Sequence, residues 1–148
     1  MRSIIIELLI TALVLTATLS YGATADHVGI VKAMAGEVVI TRNDHTMKAA
    51  PNMKLREGDI VQTGPDGKAG LILEDDTVIS MGFNTRIAIK SFLFQPNDKK
   101  LSLIARIFQG TVSFVSGQIA RLAPHLVHIE TPTATVGLRG THVLIQVD

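Results

Sequence analysis

The residues able to do chemistry are few and loosely spaced. Asp59 and Asp66 fall in turn-rich stretches, and Asp75 and Asp76 are adjacent. Converging carboxylates at defined spacing hold calcium, but no EF-hand or repeat-type calcium pattern surrounds these four. Asp66-Gly67 reads as turn chemistry, and Asp59 as a side chain that caps local backbone amides. The histidines are His27, His45, His125, His128 and His142. Residues three apart on a strand face opposite sides, so His125 and His128 share a metal only if a bend intervenes. His128 and His142 meet only if their strands are neighbours. Zinc takes four protein ligands, or three and a water, and neither set is evident. The serines lack a nucleophile-elbow motif. Gly64-Pro65-Asp66-Gly67-Lys68 lacks the glycine spacing and following hydroxyl of a phosphate loop. The expectation is a protein without catalytic residues, metal or cofactor; a metal-dependent hydrolase is the weakest alternative. One cation stands apart. Arg139 lies between Gly137 and Gly140, in Thr131-Pro132-Thr133-Ala134-Thr135-Val136-Gly137-Leu138-Arg139-Gly140-Thr141. Glycines at that spacing permit a sharp bend. Arg139 either contacts a partner or, the expected role, braces that bend through its planar fork against carbonyls or a carboxylate such as Glu130, Asp59 or Asp66.

The elements that position these residues alternate with period two. Val38 and Ile40 share one face of a strand; so do Ala69, Leu71 and Leu73, then Thr77, Ile79 and Met81. Ile87 and Ile89, Leu103 and Ala105, Val112 and Phe114, Val127 and Ile129, and Val143, Ile145 and Val147 continue the pattern. Such alternation marks half-buried strands. Turn signals separate them at Asn43-Asp44, Gly64-Pro65-Asp66-Gly67, Asp75-Asp76, Gly82-Phe83-Asn84 and Pro96-Asn97-Asp98. Only Gln118 to Leu126 offers a helical reading, which Pro124 keeps short. The predicted fold is all-β, a single domain of many short strands arranged as a sandwich, roll or solenoid-like stack.

Composition bounds the rest. The chain has no cysteine, so disulfides, thiolate metal sites and an acylated lipoprotein cysteine are excluded. Its 14 basic and 13 acidic residues leave a net charge of +1, no reason to expect nucleic acid or an anionic membrane as partner. Tryptophan is absent and the single tyrosine, Tyr21, lies near the start, which leaves little for an aromatic stacking platform. Residues 1–25 read as a signal peptide: Arg2, an apolar run from Ile4 to Leu19 interrupted by Glu7, and Ala23-Thr24-Ala25 before cleavage at Asp26. Residues 26–148 then form the exported β-domain, periplasmic or extracellular, with membrane contact only if the leader is kept.

Three blocks carry a resemblance to a known family: Gly36 to Ile40, Leu55 to Leu73 with Gly58, Asp59, Thr63, Gly64, Asp66 and Gly67, and Thr131 to Thr141. Together they resemble the FecR domain, from about Gly29 to the end. The resemblance implies an extracytoplasmic β-domain whose motif residues serve the fold or a partner contact. Signalling members place a sigma-binding region before a membrane span, whereas only Met1 to Ser3 precede the apolar run here. Family domains often continue into another hairpin after the Gly-Thr pair. The expectation is therefore an edge strand at Thr141 to Val147 that docks a protein or envelope component by strand addition, with a homo-oligomer through the same edge as a further route. The alternative is a sensor module that works with a separate transducer.

Overall fold

The computed structural model describes residues 27–148. The expected leader, residues 1–25, and the cleavage junction at Asp26 lie outside the described residues. Twelve strands follow one another: β1 (Gly29–Ala35), β2 (Val38–Arg42), β3 (His45–Lys48), β4 (Lys54–Leu55), β5 (Ile60–Thr63), β6 (Lys68–Leu73), β7 (Val78–Met81), β8 (Arg86–Gln95), β9 (Lys100–Val115), β10 (Val127–Glu130), β11 (Thr135–Gly137) and β12 (His142–Val147). A five-residue helix, α1 (Gln118–Leu122), and a 3-10 turn at Pro124–Leu126 separate β9 from β10. Pro124 opens that turn, which is why the helical stretch breaks there. The fold is all-β, as its alternation predicts.

All twelve strands belong to one sheet that curls on itself, with the main order β3-β2-β5-β8-β9-β7-β6-β1-β4. Its pairs are antiparallel except β10 on β9. The curl is built into β9, which is 16 residues long. Its first part pairs with β8 on one side and β10 on the other; its last part pairs with β7 and β12. The change of partners falls at Gly110, whose φ of 94° only glycine adopts readily. A Cβ there would lie 2.2 Å from Thr85 Oγ1 and 2.5 Å from Thr85 Cα. Thr85 fixes the bend: its hydroxyl accepts from Thr111 N at 3.1 Å, and its own amide donates to Thr63 Oγ1 at 2.9 Å. Thr63 Oγ1 in turn donates to Gly82 O at 2.7 Å. Both threonines are buried, yet these hydroxyls are satisfied.

The core follows the alternation read from the sequence. Val38 and Ile40, Leu71 and Leu73, Ile79 and Met81, Ile87 and Ile89, Leu103 and Ala105, Val112 and Phe114, and Val127 and Ile129 are all buried in one cluster. The hairpin between β2 and β3 turns on Asn43 and Asp44, both at positive φ, with Arg42 facing His45.

Two buried carboxylates tie distant strands. Asp59 is fully buried and takes a two-pronged contact from Arg42, with Nε at 2.8 Å and Nη2 at 2.6 Å; Arg56 N adds a third bond at 2.8 Å. Arg42 Nη2 also donates to Lys54 O at 3.0 Å, so one guanidinium joins the end of β2 to β4 and to the turn before β5. The hydrogen bond to Asp59 holds the guanidinium pKa above its ordinary value, with burial opposing and the carboxylate charge adding to the rise. Asp75 is also fully buried. It accepts from Thr77 N at 3.1 Å, Thr77 Oγ1 at 2.8 Å and Ile119 N at 3.1 Å, which pins α1 onto the β6–β7 turn.

Removing one member of a buried ion pair leaves the other charged and dry. Arg42→Ala is therefore expected to lower the unfolding free energy by about 3 kcal/mol, measured by urea denaturation. A loss below about 0.5 kcal/mol would class the pair with exposed bridges.

Candidate functional site

The sequence motifs separate into a structural set and a surface set. Gly58 sits at φ 88° and donates its amide to Ile89 O at 2.7 Å. Asp59 is committed to Arg42, and Thr63 to the loop before β8. Gly64 donates to Glu37 O at 2.9 Å and accepts from Gly67 N at 3.0 Å and Asn84 N at 3.0 Å. Asp66 accepts from Glu37 N at 3.3 Å. A Cβ at Gly67 would lie 2.1 Å from Glu37 O, so no larger residue fits. These residues lock turns. Among the described residues, no hydrogen bond joins them to the Thr131–Thr141 segment.

That second segment crosses from one half of the curled sheet to the other. Thr131 and Ala134 close a turn around Pro132 and Thr133: Thr131 N donates to Ala134 O at 2.8 Å, and Ala134 N to Thr131 Oγ1 at 3.1 Å. Thr135 to Gly137 then form β11, paired among the described residues with β10 alone. Leu138 turns inward and is 2 % exposed. Gly140, at φ 133°, and Thr141 are held through their carbonyls by Ser116, whose hydroxyl reaches Gly140 O at 2.8 Å and whose amide reaches Thr141 O at 2.9 Å. The chain enters β12 from there.

The expected bracing by Arg139 needs correction. Arg139 is exposed and makes no hydrogen bond or ion pair among the described residues. The three carboxylates proposed for it have other donors: Asp59 has Arg42, Asp66 has the Glu37 amide, and Glu130 has Lys90 at 3.0 Å. What the paired glycines frame is Leu138, an apolar plug, while Arg139 faces a cleft of about 490 Å³ with His125, His128, Leu138 and Val143. The 3-10 turn at Pro124–Leu126 is the bend that brings His125 and His128 to one cleft. Among the described residues, no three His, Asp or Glu side chains come together as a metal group. His142 instead bonds Ser113 Oγ at 2.7 Å.

A larger hollow, about 900 Å³, lies by Arg42, Glu57, Glu74 and Phe92. Its polar groups already serve the fold: His27 meets Glu74 at 2.9 Å, Glu57 accepts from Phe92 N at 3.0 Å, and Arg42 holds Asp59.

The most available surface is the edge of β12. Among the described residues four strands, β3, β4, β11 and β12, each have a single partner. β4 has two residues and β11 three, and β3 carries Lys48. β12 has six residues with no lysine or proline to discourage pairing. Its outward side chains are His142, Leu144 and Gln146, with Leu144 69 % exposed. The register tells which backbone groups are free. Ser116 N bonds Thr141 O on the β12 side of β9, and Gly82 N bonds Thr111 O on the β7 side. By antiparallel alternation, Val143, Ile145 and Val147 direct their amides and carbonyls to β9. His142, Leu144 and Gln146 direct theirs outward, to no strand among the described residues.

The family model described as FecR protein matches residues 59–148, which is 90 of the 148 positions. The chain belongs to the FecR family, and that membership implies a role in cell-surface signalling. The match takes in the Leu55–Leu73 turn block from Asp59 onward and the whole Thr131–Thr141 segment; β1 to β4 precede it. No curated protein and no solved structure matches the chain.

Leu138→Ala is expected to cost about 2–4 kcal/mol by opening a cavity, whereas Arg139→Ala should stay within about 0.5 kcal/mol of the parent. Thermal melting of both variants in dilute solution checks this, and the reverse ranking would restore the bracing role.

Proposed function

We propose that this chain is an exported, non-enzymatic FecR-domain module that docks a protein of the cell envelope by strand addition at β12, and so serves cell-surface signalling through a separate transducer. The observation that carries this reading is the six-residue edge of β12 with its outward backbone groups at His142, Leu144 and Gln146. Unpaired edges supply affinity through main-chain bonds and specificity through alternate side chains. Here those side chains are an exposed leucine between a histidine and a glutamine.

Work without catalysis is supported by the uses of the acids. Asp59 and Asp75 are buried braces, and Asp66, Glu57 and Glu130 bond amides or Lys90. Export to the periplasm or cell surface rests on the residues 1–25 pattern and on the signalling role of the family.

A photo-crosslinker at Gln146 should capture an envelope protein that the same probe at Asn97, exposed in the turn between β8 and β9 at the far end of β9 from β12, does not. Adding Leu144→Pro should abolish capture while the melting temperature stays within a few degrees, because the lost amide faces away from β9. Capture that survives the proline would rule out strand addition.

A further inference from the structure

The β12 edge is complementary to itself, and we infer that a second copy of this chain occupies it when no partner is bound. This inference rests on β12 as the docking edge and adds a competitor for it. Antiparallel pairing of two β12 edges must match outward backbone groups with outward groups, so even-numbered residues face even-numbered ones. The two-fold arrangement centred on Leu144 satisfies this. It sets Leu144 against Leu144 of the second copy, His142 against Gln146, and Val143 against Ile145.

Each contact in that register suits its neighbour. Leu144, the most exposed large apolar side chain of the described residues at 69 %, is covered by its own counterpart. Val143 and Ile145, left partly buried at the rim of the core, continue the apolar face into the second molecule. No charged side chain lies within His142–Val147 to oppose its copy, apart from His142 when protonated, and that imidazole is engaged by Ser113. The register two residues further on sets Leu144 against Gln146 and leaves the apolar side chain without an apolar counterpart.

Two six-residue edges bury less than a standard interface, so the dimer is weak and concentration-dependent. Dimerisation shields Leu144 and the free amides, and partner capture proceeds from the monomer. The self-paired state keeps an otherwise adhesive edge covered until a better strand arrives.

Sedimentation velocity over a concentration series tests the register. The parent should dimerise, and Leu144→Pro should remain monomeric. Leu144→Glu and Leu144→Lys should each weaken the dimer by roughly tenfold or more, since each sets two like charges face to face at the two-fold. An equimolar mixture of these two variants should associate more tightly than either alone, as a heterodimer in which the facing charges are opposite. Circular dichroism melting should match the parent for all variants within a few degrees. A monomeric parent, a dimer indifferent to Leu144→Pro or to either charged variant, or a mixture no tighter than its components would overturn the proposal. A monomeric parent that still captures an envelope protein from Gln146 would overturn self-pairing alone and leave strand addition standing.

Discussion

Everything in this molecule hangs on one strand having four neighbours. β9 pairs with β8 and β10 over its first part and with β7 and β12 over its last. A strand has two edges, so four partners require it to be long and to bend midway. Gly110 permits the bend, and the buried hydroxyl of Thr85 occupies the space where a side chain would be. Curling brings the apolar faces of both halves onto one core, and it leaves outer rims that must be closed or exposed. On one rim Arg42 reaches from β2 to Asp59 and to Lys54 O on β4. On the other, the Thr131–Thr141 segment crosses between the halves with Leu138 as its plug. β12 lies beyond that crossing and pairs with β9 alone among the described residues.

Much of this was legible in the residues. Side-chain alternation is local, and every strand face read from it is the buried face in the structure, from Val38 and Ile40 through Val143 and Ile145. Turn chemistry is local as well, and Asn43-Asp44 and the Gly64–Gly67 turn fall where their residue types require. Long-range pairing was not legible. Arg42 and Asp59 are 17 residues apart, and Asp75 reaches Ile119 across 44; nothing in either neighbourhood names the other partner. The aspartates therefore read as turn residues, although burial makes them the most consequential acids in the chain.

Arg139 illustrates a different limit. A cation between two glycines invites an explanation in which the charge is the point. The structure gives the structural role to Leu138 beside it, since a bend framed by glycines can turn one side chain into the core and the next out to water. An isolated apolar residue inside a glycine-framed bend was the available signal. The histidines followed the same logic: His125 and His128 share a cleft because Pro124 forces a 3-10 turn, a bend that strand periodicity alone does not supply. In this FecR-family chain the segment that carries the motif is a crossing that leads into β12.

Amide hydrogen exchange resolved along β12 in dilute solution reads whether that edge is open. Exchange should alternate: slow at Val143, Ile145 and Val147, whose amides face β9, and fast at His142, Leu144 and Gln146, whose amides face solvent. Equal protection of both sets would mean that the outer side of β12 is already paired and that no strand can be added there.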